Sequence, residues 1–207
     1  MAFLYLGDPC MASILTSLGR TVLAGFVLLV LIILAFGGNF SSPELPFIFR
    51  WLHVMCGVMW IGLLWYFNFV QIPSMPKIPD EQKPAIGKVI APTALFWFRY
   101  AALFTVLTGL TVAALNGYLH QAFTLQAPFR AIGLGMWIAV VMAINVWFII
   151  WPNQKRALGI VTVEADVKAK SARVAMLTSR VNTLLSVPML FLMSAQSHNT
   201  TWFVIVS

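Results

Sequence analysis

Charged residues are scarce in this chain of 207 residues: they make up 9% of it, whereas a soluble domain carries roughly 25%. Hydrophobic residues make up 60%, and the mean hydropathy is +0.89. A core of this size cannot bury so much apolar surface, so the composition excludes a soluble globular domain. It equally excludes a disordered chain, a collagen-like chain and a nucleic-acid-binding module. The composition predicts an integral membrane protein in contact with a lipid bilayer.

Acidic residues and cysteines are also few. The chain has six acidic residues, and all of them lie outside the long apolar runs, which argues against a proton relay of carboxylates within the membrane. Its two cysteines, Cys10 and Cys56, do not suggest a disulfide framework, because Cys56 lies inside an apolar run. The CxxCH motif of covalently attached haem and the HExxH and GxSxG motifs of hydrolases are absent.

Five apolar runs are long enough, or nearly so, to cross a bilayer, which takes roughly 20 helical residues. We therefore predict an all-α fold, a polytopic membrane helix bundle that forms a single integral membrane domain over residues 1–207. The predicted transmembrane helices are about 17–36, 49–72, 90–116, 131–152 and 180–197. Prolines are expected to end two of them: Pro73 and Pro76 the second, and Pro152 the fourth.

Residues 160–176 mix apolar and charged side chains between the fourth and fifth runs. This pattern predicts a short amphipathic helix at the membrane interface, with an extension of the fourth or fifth helix into water as the alternative. The first run follows a long and weakly basic N-terminal stretch, so we expect a retained helix rather than a cleaved signal peptide.

The positive charges predict the orientation in the membrane. Ten Lys and Arg residues fall in the connections on one side, namely Arg20, Lys77, Lys83, Lys88, Lys155, Arg156, Lys168, Lys170, Arg173 and Arg180. The connections on the other side hold Arg50 and Arg130. Because cytoplasmic loops are enriched in Lys and Arg, the N-terminus of this multi-pass protein is predicted to be cytoplasmic.

The three histidines are candidate ligands for a prosthetic group. With this orientation His53, His120 and His198 all fall at the outer side, His53 near the start of the second helix and His198 at the end of the fifth. Two helical histidines at one depth suit a bis-histidine haem or a small metal site, because neutral imidazole is a good ligand for Fe and Cu. His53 and His198 are the predicted ligands, whereas His120 falls in a loop.

The second helix carries more of the predicted site. His53, Gly57 and Trp60 share one helical face. Gly57 would leave a gap in which a flat macrocycle lies against the backbone, and Trp60 would pack on its edge. Alternatively, Gly57 and Gly62 let neighbouring helices approach closely, as small residues do in membranes.

Polar side chains inside the predicted helices need partners, because facing lipid is costly for them. They are Asn68, Arg99, Asn145 and Asn182. Arg99 is expected to extend toward the cytoplasmic headgroups; binding a propionate, a quinone or an anionic substrate is the alternative.

Three passages suggest a family. They are Arg50-Trp-Leu-His-Val with Trp60-Ile-Gly-Leu-Leu-Trp-Tyr-Phe-Asn-Phe-Val-Gln-Ile-Pro, Ile150-Trp-Pro-Asn-Gln-Lys-Arg, and Ser179-Arg-Val-Asn-Thr-Leu-Leu-Ser-Val-Pro-Met-Leu-Phe followed by Ser197-His198. Over roughly residues 45–198 the chain resembles the membrane domain of the bacterial urate hydroxylase (urate oxidase N-terminal domain) family. Its second helix is similar, more distantly, to the haem-binding membrane protein family that oxidises protoporphyrinogen.

These resemblances imply a haem- or metal-binding redox protein of a bacterial inner membrane that passes electrons to a c-type cytochrome. The implied cofactor is haem b, with other Fe or Cu as alternatives. Full-length family members carry more membrane helices and a C-terminal cytochrome c domain, so we expect a shortened form that works with other membrane subunits. The alternative function is a non-catalytic accessory subunit of a larger membrane complex. A small transporter is less attractive, because broken helices in matching halves are missing.

Overall fold

The computed structural model describes residues 13–36 and 44–195. The chain forms two compact units, Met1–Glu44 and Leu45–Ser207. The long helix of the first unit is α1, Leu18–Ala35, and none of its residues is buried. Its surface is apolar on all sides, which is the pattern of a helix that faces lipid.

The second unit is helical throughout its described part. Its helices are α2 (Leu45–Lys77), α3 (Lys83–Leu115), α4 (Leu119–Phe123), α5 (Arg130–Ala157) and α6 (Ala165–Ala195). The described residues contain no strand. Five helices, α1, α2, α3, α5 and α6, are long and apolar enough to cross a membrane. The predicted all-α, multi-pass architecture is therefore confirmed.

Three of these helices contain a π-helical segment, Tyr66–Gln71 in α2, Ile86–Ile90 in α3 and Asn145–Ile150 in α5. Just after each segment, a backbone N–H bonds the carbonyl five residues back: Ile72 to Phe67, Ala91 to Ile86 and Trp151 to Val146. The next residue is a proline in every case, Pro73, Pro92 or Pro152. A proline lacks the N–H that an α-helix needs, and its ring clashes with the carbonyl four residues back. The wider π turn accommodates the ring, so each helix continues.

The expectation that prolines end the second and fourth helices is therefore wrong. α2 runs through Pro73 and Pro76 to Lys77, and α5 runs through Pro152 to Ala157. Both helices are longer than predicted for this reason.

The last helix of the described residues also differs from the prediction of two separate helices. In place of an interfacial helix at 160–176 and a separate span at 180–197, the described residues form one continuous helix, α6, of 31 residues. At 1.5 Å per residue it is about 46 Å long, more than the hydrocarbon core of a bilayer. Ser171, Ala175 and Ser179 follow each other at intervals of four and are all buried. This face of small residues continues the packing surface, so the segment extends the fifth transmembrane helix.

The helices pack mainly in two pairs, α2 with α3 and α5 with α6. Trp60, Leu64, Leu95, Phe98 and Met142 form the centre of the core. The α2–α3 and α5–α6 connections lie at the same end of the unit, since a Cβ on Gly87 would be 4.0 Å from Leu158 Cδ2. Lysines and arginines of both connections are thus concentrated at this end, which we call the basic end.

Candidate functional site

His53 lies in the contact between α2 and α3, toward the end of the unit opposite the basic end. Its Nδ1 is 2.8 Å from the backbone carbonyl oxygen of Thr105. A carbonyl oxygen only accepts, so Nδ1 carries the proton and donates, and Nε2 of the neutral ring keeps a free lone pair. Metal-ligating histidines are commonly oriented this way, with one ring nitrogen fixed by a backbone carbonyl and the other bound to the metal.

The absence of a side chain at Gly109 makes room for this ring. A Cβ at Gly109 would lie 2.8 Å from His53 Cε1 and 3.0 Å from Nδ1, closer than such atoms approach. Thr105 and Gly109 are one turn apart on α3, so one accepts the Nδ1 proton of the imidazole and the other leaves room for its ring. Neither residue is predicted from the sequence. Thr105 and Gly109 are four residues apart, with Thr108 between them, and such a pattern of small residues indicates a contact between helices.

Gly57 and Trp60 lie on the face of α2 that packs toward α3, as their spacing with His53 predicts. A Cβ on Gly57 would be 3.8 Å from Thr105 Cγ2, an ordinary contact distance. The side chain of Trp60 is completely buried in the core, and its Nε1 has no hydrogen-bond partner among the described residues. The space beside Gly57 is thus covered by α3. A Cβ on Gly62 would meet nothing within 4 Å, so the close helix approach falls at Gly109 instead.

The second predicted ligand, His198, lies outside the described residues. His120 is exposed in the short helix α4. Within residues 13–36 and 44–195, no three His, Cys, Asp or Glu side chains come together. The free Nε2 of the anchored His53 ring is a donor that could bind a haem or a metal ion.

Tyr118 lies in the α3–α4 connection, at the same end of the unit as His53. Its ring stacks on Phe129, with 5.1 Å between centroids and 14° between planes. Burial raises the pKa of the Tyr118 phenol, and the positive charge of Arg50 partly opposes this shift. Arg50 is one turn before His53 in α2, so a cation and a neutral phenol both lie near this end of the predicted site.

The buried asparagines find partners across helices. Asn145 Nδ2 donates to Asn182 Oδ1 at 2.8 Å, and Asn182 Nδ2 donates to the Met142 carbonyl at 2.9 Å. Asn182 is completely buried. These two bonds connect α6 to the start of the π segment in α5. The sequence-based expectation that these residues need partners is confirmed for this pair.

A second polar contact connects α6 with α2. Asn68 Nδ2 donates to Ser179 Oγ at 2.8 Å, and Trp65 Nε1 donates to Ser186 Oγ at 3.0 Å. A cavity of about 150 Å³ lies next to Ser179 and is also lined by Gln71 and Gln154. Asn68 Oδ1 and Gln71 Oε1 are buried without a hydrogen-bond partner in the described part of the chain. The cavity has enough room and polar groups for a buried water.

The side chain of Arg99 reaches across to α5, where Cζ lies 3.4 Å from the centroid of the Trp151 ring. Its expected extension toward the cytoplasmic headgroups stays a prediction. Only 8% of the residue is exposed. This stacked arrangement is a cation–π contact, which the position of Arg99 in α3 alone does not reveal.

Comparison with known proteins bears on the C-terminal part of the chain. The family model described as Urate oxidase N-terminal matches residues 111–206. No curated protein and no solved structure matches the chain. The matched region contains two of the three passages that suggested the family, those at 150–156 and 179–198, and the passage around His53 lies before it. Residues 111–206 of this chain are therefore similar to the urate oxidase N-terminal family, the family that the sequence motifs suggest.

Proposed function

We propose that this chain is the haem- or metal-binding subunit of a membrane redox complex in a bacterial inner membrane, which passes electrons to a c-type cytochrome. His53 binds the group through Nε2, and His198 is the second ligand. When bound, the group supplies one-electron chemistry. The roles of the chain's own residues are to orient the ligand ring and to exclude water.

The observation that carries this proposal is the anchoring of His53. The Thr105 carbonyl fixes the tautomer and the direction of the ring, and Gly109 allows the ring to lie close to α3. A ring held in this way loses little conformational freedom on ligation. Gly57 and Trp60 contribute by holding α2 against α3, so that the Thr105 carbonyl stays within hydrogen-bond distance of the His53 ring. The family match to residues 111–206 supports the same class of protein.

The test is the absorbance spectrum of the purified full chain, oxidised and reduced, with an assay of bound Fe and Cu. We expect a Soret band that shifts on reduction. His53→Ala and His198→Ala should each abolish or shift it. His120→Ala is the matched control, because His120 is exposed on α4 and should leave the spectrum unchanged.

A chain without a Soret band and without bound Fe or Cu would contradict the proposal. If such a chain co-purifies in fixed ratio with other membrane subunits, the accessory-subunit alternative replaces it. A spectrum that is equally altered by His120→Ala would also argue against His53 and His198 as the specific ligands.

A further inference from the structure

Arg99 is a buried cation without a counter-ion. No carboxylate forms an ion pair with it, and no acceptor takes a hydrogen bond from it, among residues 13–36 and 44–195. Its Nη1 is fully buried and unpartnered. The two ion pairs found in these residues, Lys83–Asp80 and Lys170–Asp166, are exposed and elsewhere. A charge removed from water in this way is costly unless an anion approaches it.

A second cation lies beside Arg99. Lys155 Nζ is 5.7 Å from the centroid of the same Trp151 ring over which the Arg99 guanidinium is stacked. Trp151 thus places a guanidinium and an ammonium group near one ring. Lys155 lies near the basic end, and Arg99 is the middle residue of α3. The guanidinium presents a planar set of donors that suits phosphate oxygens, and the ammonium adds a second charge.

An apolar groove lies about one helical turn further along α3 and α5 than these cations. It has a volume of about 340 Å³ and is lined by Leu103, Val106, Val140, Ala143, Trp147 and Phe148 among others. Leu103 and Val106 follow Arg99 by four and seven residues on α3, so they share its face. Trp147 precedes Trp151 by four residues on α5, and its ring meets Tyr100 edge-on at 5.7 Å. The groove and the cations therefore belong to one continuous seam between α3 and α5.

From this geometry we propose that the α3–α5 seam binds one anionic phospholipid. The phosphate contacts Arg99 and Lys155, and one acyl chain lies in the groove. A small anion would leave the apolar groove unused, and an uncharged lipid would leave the Arg99 charge uncompensated. An anionic lipid satisfies both features, because its charge and its hydrocarbon chain are joined at the distance of a headgroup. This site is separate from His53 and does not depend on the proposed redox function.

The experiment is native mass spectrometry of the delipidated full chain in a neutral detergent, titrated with phosphatidylglycerol or phosphatidylcholine. We expect one phosphatidylglycerol to bind preferentially. Arg99→Gln and Lys155→Gln should each weaken it by about tenfold, the effect of losing a charge-assisted contact. Arg173→Gln is the matched control, because Arg173 is an exposed arginine near the basic end and away from the seam.

Two further measurements distinguish the contribution of the lipid headgroup from that of the acyl chain. Ala143→Phe, which fills the groove, should weaken long-chain phosphatidylglycerol and leave short-chain dihexanoyl phosphatidylglycerol unaffected. Inorganic phosphate and oleate should not displace the long-chain lipid. Displacement by inorganic phosphate would overturn the proposal in favour of a free-phosphate site, and displacement by oleate in favour of a carboxylate site.

Thermal unfolding, measured along the same titration, identifies variants that fail to fold. A variant that folds should unfold cooperatively without lipid but lose the stabilisation by phosphatidylglycerol. If Lys155→Gln and Ala143→Phe both fold and both bind phosphatidylglycerol as the unchanged chain does, the proposal is wrong. The proposal is supported if Arg173→Gln binds phosphatidylglycerol as the unchanged chain does and Arg99→Gln binds it more weakly.

Discussion

At the scale of single residues, a backbone carbonyl and a glycine of α3 fix the tautomer and the position of the His53 ring. The imidazole of His53 donates to a carbonyl that already belongs to a helix, at Thr105, and packs where Gly109 has no side chain. Thr108 Oγ1 donates to the Phe104 carbonyl at 2.5 Å and lies 3.2 Å from the Thr105 carbonyl oxygen. Such local back-bonding is tolerated in membrane helices because few other acceptors are available.

The first prediction concerns Gly109. Gly109→Ala should destabilise the protein by about 1–3 kcal/mol, because the new Cβ must displace a ring that is fixed by its hydrogen bond. If His53 is a ligand, the substitution should also lower cofactor content. The measurement is unfolding by SDS in mixed micelles, combined with the absorbance spectrum.

The control for this prediction is Gly62→Ala. A Cβ there meets nothing within 4 Å, and alanine favours a helix over glycine by about 1 kcal/mol. Gly62→Ala should be neutral or slightly stabilising. Equal losses in the two variants would show that the contact between Gly109 and His53 is not the cause.

The second prediction concerns the buried amides. Asn145→Ala and Asn182→Ala, made singly and together, should show a coupling energy of about 0.6–1.7 kcal/mol, the range of interhelical hydrogen bonds in membranes. The measurement is a double-mutant cycle in mixed micelles. Asn153→Ala is the control, because the Asn153 amide bonds only the Ile149 carbonyl of its own helix. Paired with Asn182→Ala, it should show a coupling within about 0.5 kcal/mol of zero.

At the scale of helices, the π segments explain why the long elements tolerate proline. Each segment adds one residue to a turn and precedes a proline by the same interval, in α2, α3 and α5. Asn68 and Asn145, whose amides donate to side chains of α6, lie within two of these segments. The wider turn thus both accommodates the ring of proline and directs an amide toward the neighbouring helix.

The third prediction tests this coupling between the π turn and proline. Deleting Phe148, an exposed residue of the π segment in α5, should convert the turn to α-helix and preserve the register on both sides. With Pro152 present, the regular helix would clash with the ring, so we expect a loss of about 3 kcal/mol or more. Unfolding in mixed micelles provides the measurement.

The decisive variant combines the Phe148 deletion with Pro152→Ala. Removing the ring should recover most of the lost stability, because an alanine supplies the missing N–H and has no ring to clash. A double variant that is no more stable than the deletion alone would argue that the π turn has a purpose unrelated to Pro152.

At the scale of the whole chain, the distribution of basic residues predicts how the protein lies in the membrane. The α2–α3 and α5–α6 connections share the basic end, and the residues near His53 lie toward the other end. The fourth prediction follows from the enrichment of Lys and Arg in cytoplasmic loops. In a background with Cys10 and Cys56 replaced by Ser, Gln126→Cys should react with an impermeant thiol reagent in intact cells, whereas Glu81→Cys should not.

Permeabilised cells provide the control for this labelling, because both cysteines should then react. Both positions are exposed in the structure. The reverse pattern in intact cells, with Glu81→Cys labelled and Gln126→Cys protected, would invert the proposed topology and move the predicted ligands to the cytoplasmic side.

The sequence alone predicts much of the fold because the hydropathy of each span depends on nearby residues. All five spans are found, but the lengths of α2 and α5 are underestimated, since proline normally ends a helix and the compensating π turn leaves no clear sequence signal. His53, Gly57 and Trp60 are correctly placed on one face. The partners Thr105 and Gly109, and the stacking of Arg99 on Trp151, depend on which residues of two distant helices meet. Local periodicity does not contain that information.

The contact of His53 with Gly109 also restricts how α2 and α3 can assemble. Sliding α3 by one turn in either direction would set Thr105 or Ala113 against the imidazole, and both of these residues carry a Cβ. Two preformed helices that meet side by side in the bilayer therefore have one favourable longitudinal alignment, and pairs displaced by a turn are sterically rejected before the rest of the bundle closes around them.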